Sequence, residues 1–141
     1  MRAVVSRVSR ASVTVDGEVV GAIDQPGLLV LLAVTHDDGQ PQVDLMARKL
    51  HELRILRDEQ SSASTGAPLL VVSQFTLYGD TRKGRRPTWI AAARPEHAER
   101  MVDAVVNALR NRGARVATGR FRALMAVESI NDGPFTVLVE T

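Results

Sequence analysis

Leu69-Leu70-Val71-Val72-Ser73-Gln74-Phe75-Thr76-Leu77-Tyr78, near the middle of the chain, decides how the rest is read. Its first half is an unbroken aliphatic run, rich in β-branched residues and without helical spacing. That is the pattern of a strand covered on both faces. Its second half brings three hydrogen-bonding side chains, Ser73, Gln74 and Thr76, onto the end of that strand. An unpaired buried polar group costs roughly 1–3 kcal/mol, so each needs a partner. Either they cap the strand and satisfy the loop at Gly79-Asp80, or they form the floor of a ligand pocket.

The basic run Thr81 to Pro87 follows at once, with Arg82, Lys83, Arg85 and Arg86 among seven residues. It reads as a solvated loop or, beside a pocket, as a grip on phosphates. Farther on, Trp89 reads as a packing residue rather than a base-stacking platform. Pro95-Glu96 starts a helix whose apolar stripe is Ala98, Met101, Val102, Val105 and Leu109, with Gly113 at its end. Strands are expected over Arg115–Thr118 and Leu124–Ile130, then a turn at Asn131-Asp132-Gly133-Pro134 and a last strand over Phe135–Glu140.

Before the opening stretch, Arg2 to Arg10 alternates around Val4, Val5 and Val8, and Ala11 to Val15 reads as a second short strand. Asp16-Gly17 is a strong hairpin signal, with Glu18 to Ile23 as the returning strand. Arg7 lies within the first strand and by itself reads as solvent-facing. Leu28 to Val34 is a further buried strand, which makes the first third a β-meander. Pro41 opens a helix with Gln40 or Asp38 near its cap and Val43, Met46, Leu50 and Leu53 on one face. Arg54-Ile55-Leu56 reads as a short strand. Arg57 to Pro68 reads as a polar loop, either mobile or a lid. The sum over residues 1–141 is one α+β domain, with antiparallel strands dominating a curved sheet and two main helices packed on it.

Composition narrows the function classes. A chain of 141 residues, 45% apolar and 24% charged, has the make-up of one soluble globular domain. No apolar run approaches the ~20 residues that span a bilayer, and the N-terminus has no signal-peptide core, so no membrane partner is expected. The absence of cysteine removes thiolate chemistry and fits a cytoplasmic location. His36, His51 and His97 lack metal-ligand spacing, so neither a metal nor another cofactor is expected. A net charge of +2 is too small for a molecule that coats nucleic acid with its whole surface.

The closing turn is the second informative stretch. A proline after Asn131-Asp132-Gly133 removes a ladder donor where a strand should begin. An ordinary trans turn is the commonest form of such a bond, whereas a cis bond would turn two successive carbonyl oxygens to one side.

Together, Ser73-Gln74-Phe75-Thr76-Leu77 and Asn131-Asp132-Gly133-Pro134-Phe135-Thr136 resemble the S-Q-F-T-L and N-x-G-P-[VF]-T motifs of D-aminoacyl-tRNA deacylases. The resemblance extends to Met1-Arg2-Ala3-Val4-Val5-Ser6-Arg7, to the Asp16-Gly17 hairpin and to Asp80–Pro87, and so covers essentially the whole chain. It implies the barrel-like fold of that family and a homodimer that hydrolyses the ester joining a D-amino acid, or mischarged glycine, to the 3′ end of tRNA. Ser73, Gln74, Phe75 and Thr76 would then be the catalytic set. Arg7, Ala93, Met125, Asn131, Gly133 and Pro134 would bind the substrate. Arg7 would brace a cis Gly133-Pro134 element that enters the partner subunit's pocket and rejects L-amino acids by steric exclusion. Arg82, Lys83, Arg85 and Arg86 would contact the tRNA backbone.

The same resemblance leaves the choice of nucleophile open between a water activated by the ribose 2′-hydroxyl and Thr76 itself. The chain departs from the family pattern at Asp58–Ser64, where many members carry Lys-Met-Asn-x-Ser, and at Arg122, Leu124 and Ala126. A catalytically silent RNA-binding domain would need neither motif. An unrelated serine hydrolase would need a G-x-S-x-G elbow, which is missing around Ser73.

Overall fold

The computed structural model describes residues 1–141. In chain order it contains β1 (Arg2–Val15), β2 (Glu18–Ile23), β3 (Gly27–Ala33), α1 (Gln40–Glu52), α2 (Ser62–Thr65), β4 (Leu69–Ser73), α3 (Pro95–Asn111), β5 (Val116–Thr118) and β6 (Ala126–Glu140). A 3-10 turn at Arg57–Glu59 precedes α2, and another at Phe75–Tyr78 follows β4.

Strand β1 is the axis. It is one strand of 14 residues rather than the two short ones its Ser9-Arg10 break suggests. Along one edge β3 pairs with Arg2–Val8 and β2 with Ala11–Val15, so the polar break marks the handover between two partners. Along the other edge β6 pairs antiparallel from Arg2↔Glu140 to Thr14↔Ala126. The Asn131–Pro134 stretch is therefore no chain reversal. Between Ser6↔Thr136 and Val8↔Asn131, β1 advances two residues while β6 advances five, so Asp132–Phe135 bulges out of a continuous ladder.

The row continues β1-β3-β4-β5, and both the β3–β4 and β4–β5 pairs are parallel. The sheet is thus mixed, and antiparallel pairs dominate only around β1. Parallel neighbours need long crossovers. α1 with α2 supplies one and α3 the other. The two ends of the row curl back on each other at Gly21 in β2. A Cβ at Gly21 would overlap the carbonyl oxygen of Thr118 in β5, so glycine permits the close approach that nearly closes the barrel.

β4 is covered on both faces, as its aliphatic run requires. Leu69 and Val71 join the core beneath the helices with Leu28, Met46, Leu50 and Val105. Leu70 and Val72 point into the curl with Val8, Val13, Ile23 and Leu29. α1 begins after Gly39, whose N–H donates to Oε1 of Gln42 at 2.9 Å. Asp38 serves elsewhere, accepting from the N–H of Thr35 at 2.8 Å. No helix is long and apolar enough to cross a membrane.

The segment before β4 also differs from expectation. Arg54-Ile55-Leu56 is irregular, because Ile55 and Leu56 are buried against the helices instead of pairing in the sheet. Arg57–Pro68 is an ordered strap. Ser61 and Ser62 are buried, Ser61 caps α2 through Ser64 N–H, and Ser62 Oγ donates to the carbonyl of Ala67 at 2.7 Å.

Candidate active site

Where β4 ends, the backbone N–H of Gln74 still donates to the carbonyl of Leu32 at 2.8 Å, and the chain then tightens into the turn Phe75–Tyr78. The change of structure projects Ser73, Gln74 and Phe75 into a cavity of about 730 Å³. Gln74 Nε2 donates to Thr76 Oγ1 at 2.5 Å, which ties the exposed Thr76 hydroxyl to the cavity floor. Most of the wall is aliphatic or aromatic, and it includes Ala93 and Met125. Both readings of the polar strand end are therefore partly right, since these groups end the strand and also floor a pocket.

Phe75 and Trp89 meet edge to face, ring centres 5.4 Å apart, and both remain substantially exposed at the cavity. The Trp89 ring rests against Gly79, where a Cβ would stand 2.6 Å from Cζ3. Trp89 does pack, but it packs as a pocket wall.

None of the three histidines forms a hydrogen bond with Ser73 or Thr76. His36 Nε2 lies 2.7 Å from the carbonyl of Ile90 and His97 Nε2 2.9 Å from that of Asp38. His51 is buried on α1, where burial first and then the Arg112 charge push its pKa down. The fold gathers no group of three or more His, Asp or Glu side chains suited to a metal.

Arg7 is buried rather than solvent-facing. Its Nε donates to the carbonyl of Asp132 at 2.9 Å and its Nη2 to that of Gly133 at 3.2 Å. The guanidinium also lies 4.5 Å from the centre of the Phe135 ring. Asn131 completes the link by donating from Nδ2 to the carbonyl of Arg7 at 2.9 Å. The Gly133-Pro134 peptide bond is cis, and both residues are exposed on the bulge of β6. They do not line the cavity of their own chain, and neither do Arg7, Thr76 or Asn131.

A residue outside the sequence expectation joins this network. Arg57 in the strap holds Asp132 through both nitrogens, Nε to Oδ2 at 3.0 Å and Nη2 to Oδ1 at 2.5 Å. No local signal marks it, because its partner lies 75 residues away.

The basic loop is exposed. Arg82 is paired with Asp80, donating from Nε at 2.9 Å and from Nη2 at 2.7 Å. These side-chain hydrogen bonds, helped by the backbone N–H of Arg82, hold the Asp80 carboxyl well below the usual carboxylate range. Lys83, Arg85 and Arg86 form no ion pair within the chain.

The family model for D-Tyr-tRNA(Tyr) deacylase matches residues 4–140. The chain belongs to that family. Curated D-aminoacyl-tRNA deacylases of Kineococcus radiotolerans and Thermobifida fusca are each 67% identical over 140 residues, covering 99% of this chain and 99% of each relative. The solved structure described as c-Myc DNA unwinding element binding protein matches with a TM-score of 0.92 at 39% identity, over 100% of this chain and 99% of that one. A probable eukaryotic D-amino acid tRNA deacylase matches at 0.87 and 17% identity, over 99% and 98%, and shows the fold alone. The activity is hydrolysis of the ester bond of D-aminoacyl-tRNA.

Proposed function

We propose that the cavity receives the aminoacylated 3′-adenosine of tRNA and that hydrolysis depends on placement rather than on a protein nucleophile. The observation that carries this reading is the cavity itself, a mostly apolar chamber of about 730 Å³ whose few polar lining residues include Ser73 and Gln74 of the strand end. An aminoacyl ester is already reactive, so positioning supplies most of what is needed.

In this mechanism water attacks the ester carbonyl, with Phe75 N–H donating to the oxyanion that develops. The vicinal ribose 2′-hydroxyl relays the water's proton to the departing 3′-oxygen, and the products are free D-amino acid and tRNA. Gln74, which lines the cavity and holds the Thr76 hydroxyl, orients the water. The placement of the histidines, His36 and His97 against backbone carbonyls and His51 buried on α1, supports this route over Thr76 as nucleophile, which would need a base beside it.

The working unit is a homodimer in the cytoplasm, where one subunit's Gly133 and Pro134 enter the other's cavity. Their exposure, their absence from the lining of their own chain's cavity, and the exposed apolar side chains Val127, Ile130, Phe135 and Leu138 on β6 support it. Gly133 and Pro134 then occupy the space an L side chain needs. D side chains point outward, and glycine passes the same filter. Lys83, Arg85 and Arg86 hold the tRNA backbone, with Arg82 as a lesser contributor.

The test is hydrolysis of matched D-, L- and glycyl-tRNA, with the subunit mass measured by light scattering. Loss of the D and glycyl esters with the L ester spared, in a dimer, is expected. Rapid loss of the L ester would remove the filter, and a monomer of full activity would remove the shared site.

A further inference from the structure

We propose that Arg94 and Arg122 form a phosphate site at the cavity mouth, which takes the phosphodiester on the 5′ side of the substrate's terminal adenosine. The inference rests on the reading that aminoacyl-adenosine fills the cavity, and it adds a binding site separate from the Arg82–Arg86 loop.

Among all the residues lining the cavity only two are charged, Arg94 and Arg122, and no carboxylate faces it. The two reach the lining from different parts of the chain. Arg94 is the cap residue of α3, while Arg122 comes from the connection between β5 and β6. Arg122 Nη2 lies 3.3 Å from Oε1 of Glu96 in the first turn of α3, which ties it to the same helix start that Arg94 caps. Arg94 is exposed and has no ion pair within the chain. The Arg122–Glu96 pair is exposed on both sides, 63% and 69%, so it is screened and yields readily to a better anion.

Arg122 also holds a φ of 62°, a left-handed backbone that side chains with a Cβ seldom adopt. Such conformations concentrate at functional sites.

The chemistry of the substrate supplies the reason for two cations here. Adenosine is uncharged and suits an apolar chamber. The first charge met on leaving the chamber is the phosphodiester that joins adenosine to the preceding nucleotide. Arginine's planar fork matches phosphate oxygens in pairs.

The experiment uses one D-amino acid on three carriers: the 3′-ester of adenosine, the 3′-ester of adenosine 5′-monophosphate, and tRNA. In the wild type the single 5′-phosphate is expected to raise kcat/KM by roughly tenfold, mainly through KM, the size expected for hydrogen bonds to a charged group. In the Arg94→Gln, Arg122→Asn double variant that ratio falls to about one. Asparagine tolerates the left-handed backbone at 122, and thermal melting confirms that the variant is folded. A wild type indifferent to the 5′-phosphate overturns the proposal, as does a ratio that survives in the double variant. A gain that appears only with tRNA, and disappears in an Arg85→Ala, Arg86→Ala variant, overturns it in favour of the basic loop. Failure of the wild type to cleave the adenosine ester at all overturns the cavity reading and the phosphate site with it.

Discussion

Arg57 closes both Nε and Nη2 on the carboxylate of Asp132, at 3.0 and 2.5 Å. Arg7 holds the same residue from the other side, through its carbonyl at 2.9 Å and its Oδ2 at 3.3 Å. Two arginines from distant parts of the chain thus fix the residue that leads into Gly133-Pro134, and they differ in burial. The Arg7 side chain is 7% exposed and that of Arg57 71%.

That difference separates their effects. Arg7→Leu leaves the carbonyls of Asp132 and Gly133 without their donor and only the exposed Arg57 on the Asp132 carboxylate, and is expected to cost about 2–4 kcal/mol in denaturant unfolding. Arg57→Ala breaks an exposed pair and should cost less than about 1 kcal/mol. If the bulge must be aimed for turnover, Arg57→Ala will still lower kcat/KM for a D-aminoacyl-tRNA by roughly tenfold or more, because small misplacements at a reacting site are expensive. Arg57→Lys should recover part of the loss. Unchanged kinetics in Arg57→Ala would make the clamp a surface contact only.

Arg57 could not be placed from the sequence, and Arg7 only through the family resemblance, since its own strand pattern reads as solvent-facing; the reason is general to this fold. β4 was legible because its aliphatic run has one stable solution, a strand with Leu69 and Val71 on one core and Leu70 and Val72 on the other. The long strands were not. Ser9-Arg10 reads as a break because local pattern cannot show that one edge of β1 changes partner there. Asn131-Asp132-Gly133-Pro134 reads as a reversal because turns and bulges draw on the same residues, and only pairing with β1 on both sides distinguishes them. The motif residues Ser73, Gln74 and Phe75 lie at the cavity, whereas the value of Arg57, Arg94 and Arg122 depends on what the fold sets opposite them.

Closure of the barrel hangs on a single missing side chain. Gly21→Val forces a branched side chain into the Thr118 carbonyl, and backbone cannot move aside as a flexible side chain can. Overpacking of this kind is expected to cost about 1–3 kcal/mol. Hydrogen exchange should show faster opening of β2 and β5 than of β1. A Gly21→Val protein with wild-type stability and exchange would mean that the two edges do not depend on this contact.

His51 supplies a pH dependence of stability with a definite sign. Burial and the nearby Arg112 depress its folded-state pKa, so below about 6.5 the unfolded chain binds a proton that the folded chain resists. Stability should therefore be fully present above that pH and decline as acid carries the solution down towards the folded-state value. Tm measured from pH 7.5 to 5 should fall less steeply in His51→Gln than in the wild type. Parallel curves would assign the acid sensitivity to other groups.

The basic loop divides into one engaged and three free cations, and salt dependence can tell them apart. Asp80 accepts three hydrogen bonds from Arg82, two from the side chain and one from the backbone, so the Arg82 charge is already answered. Lys83, Arg85 and Arg86 have no such partner and are available to phosphates. Removing one cation that neutralises a phosphate should lessen the slope of log K against log salt by about one. For tRNA binding, Arg85→Ala with Arg86→Ala should thus flatten the slope by about two, whereas Arg82→Ala alone should change it by much less than one. The Arg82→Ala change would also leave the Asp80 carboxylate unpaired, so that affinity falls by repulsion while the slope barely moves. Equal slope changes at all three arginines would mean that tRNA displaces Asp80 and recruits Arg82. An unchanged slope in the double variant would remove the loop from the tRNA interface.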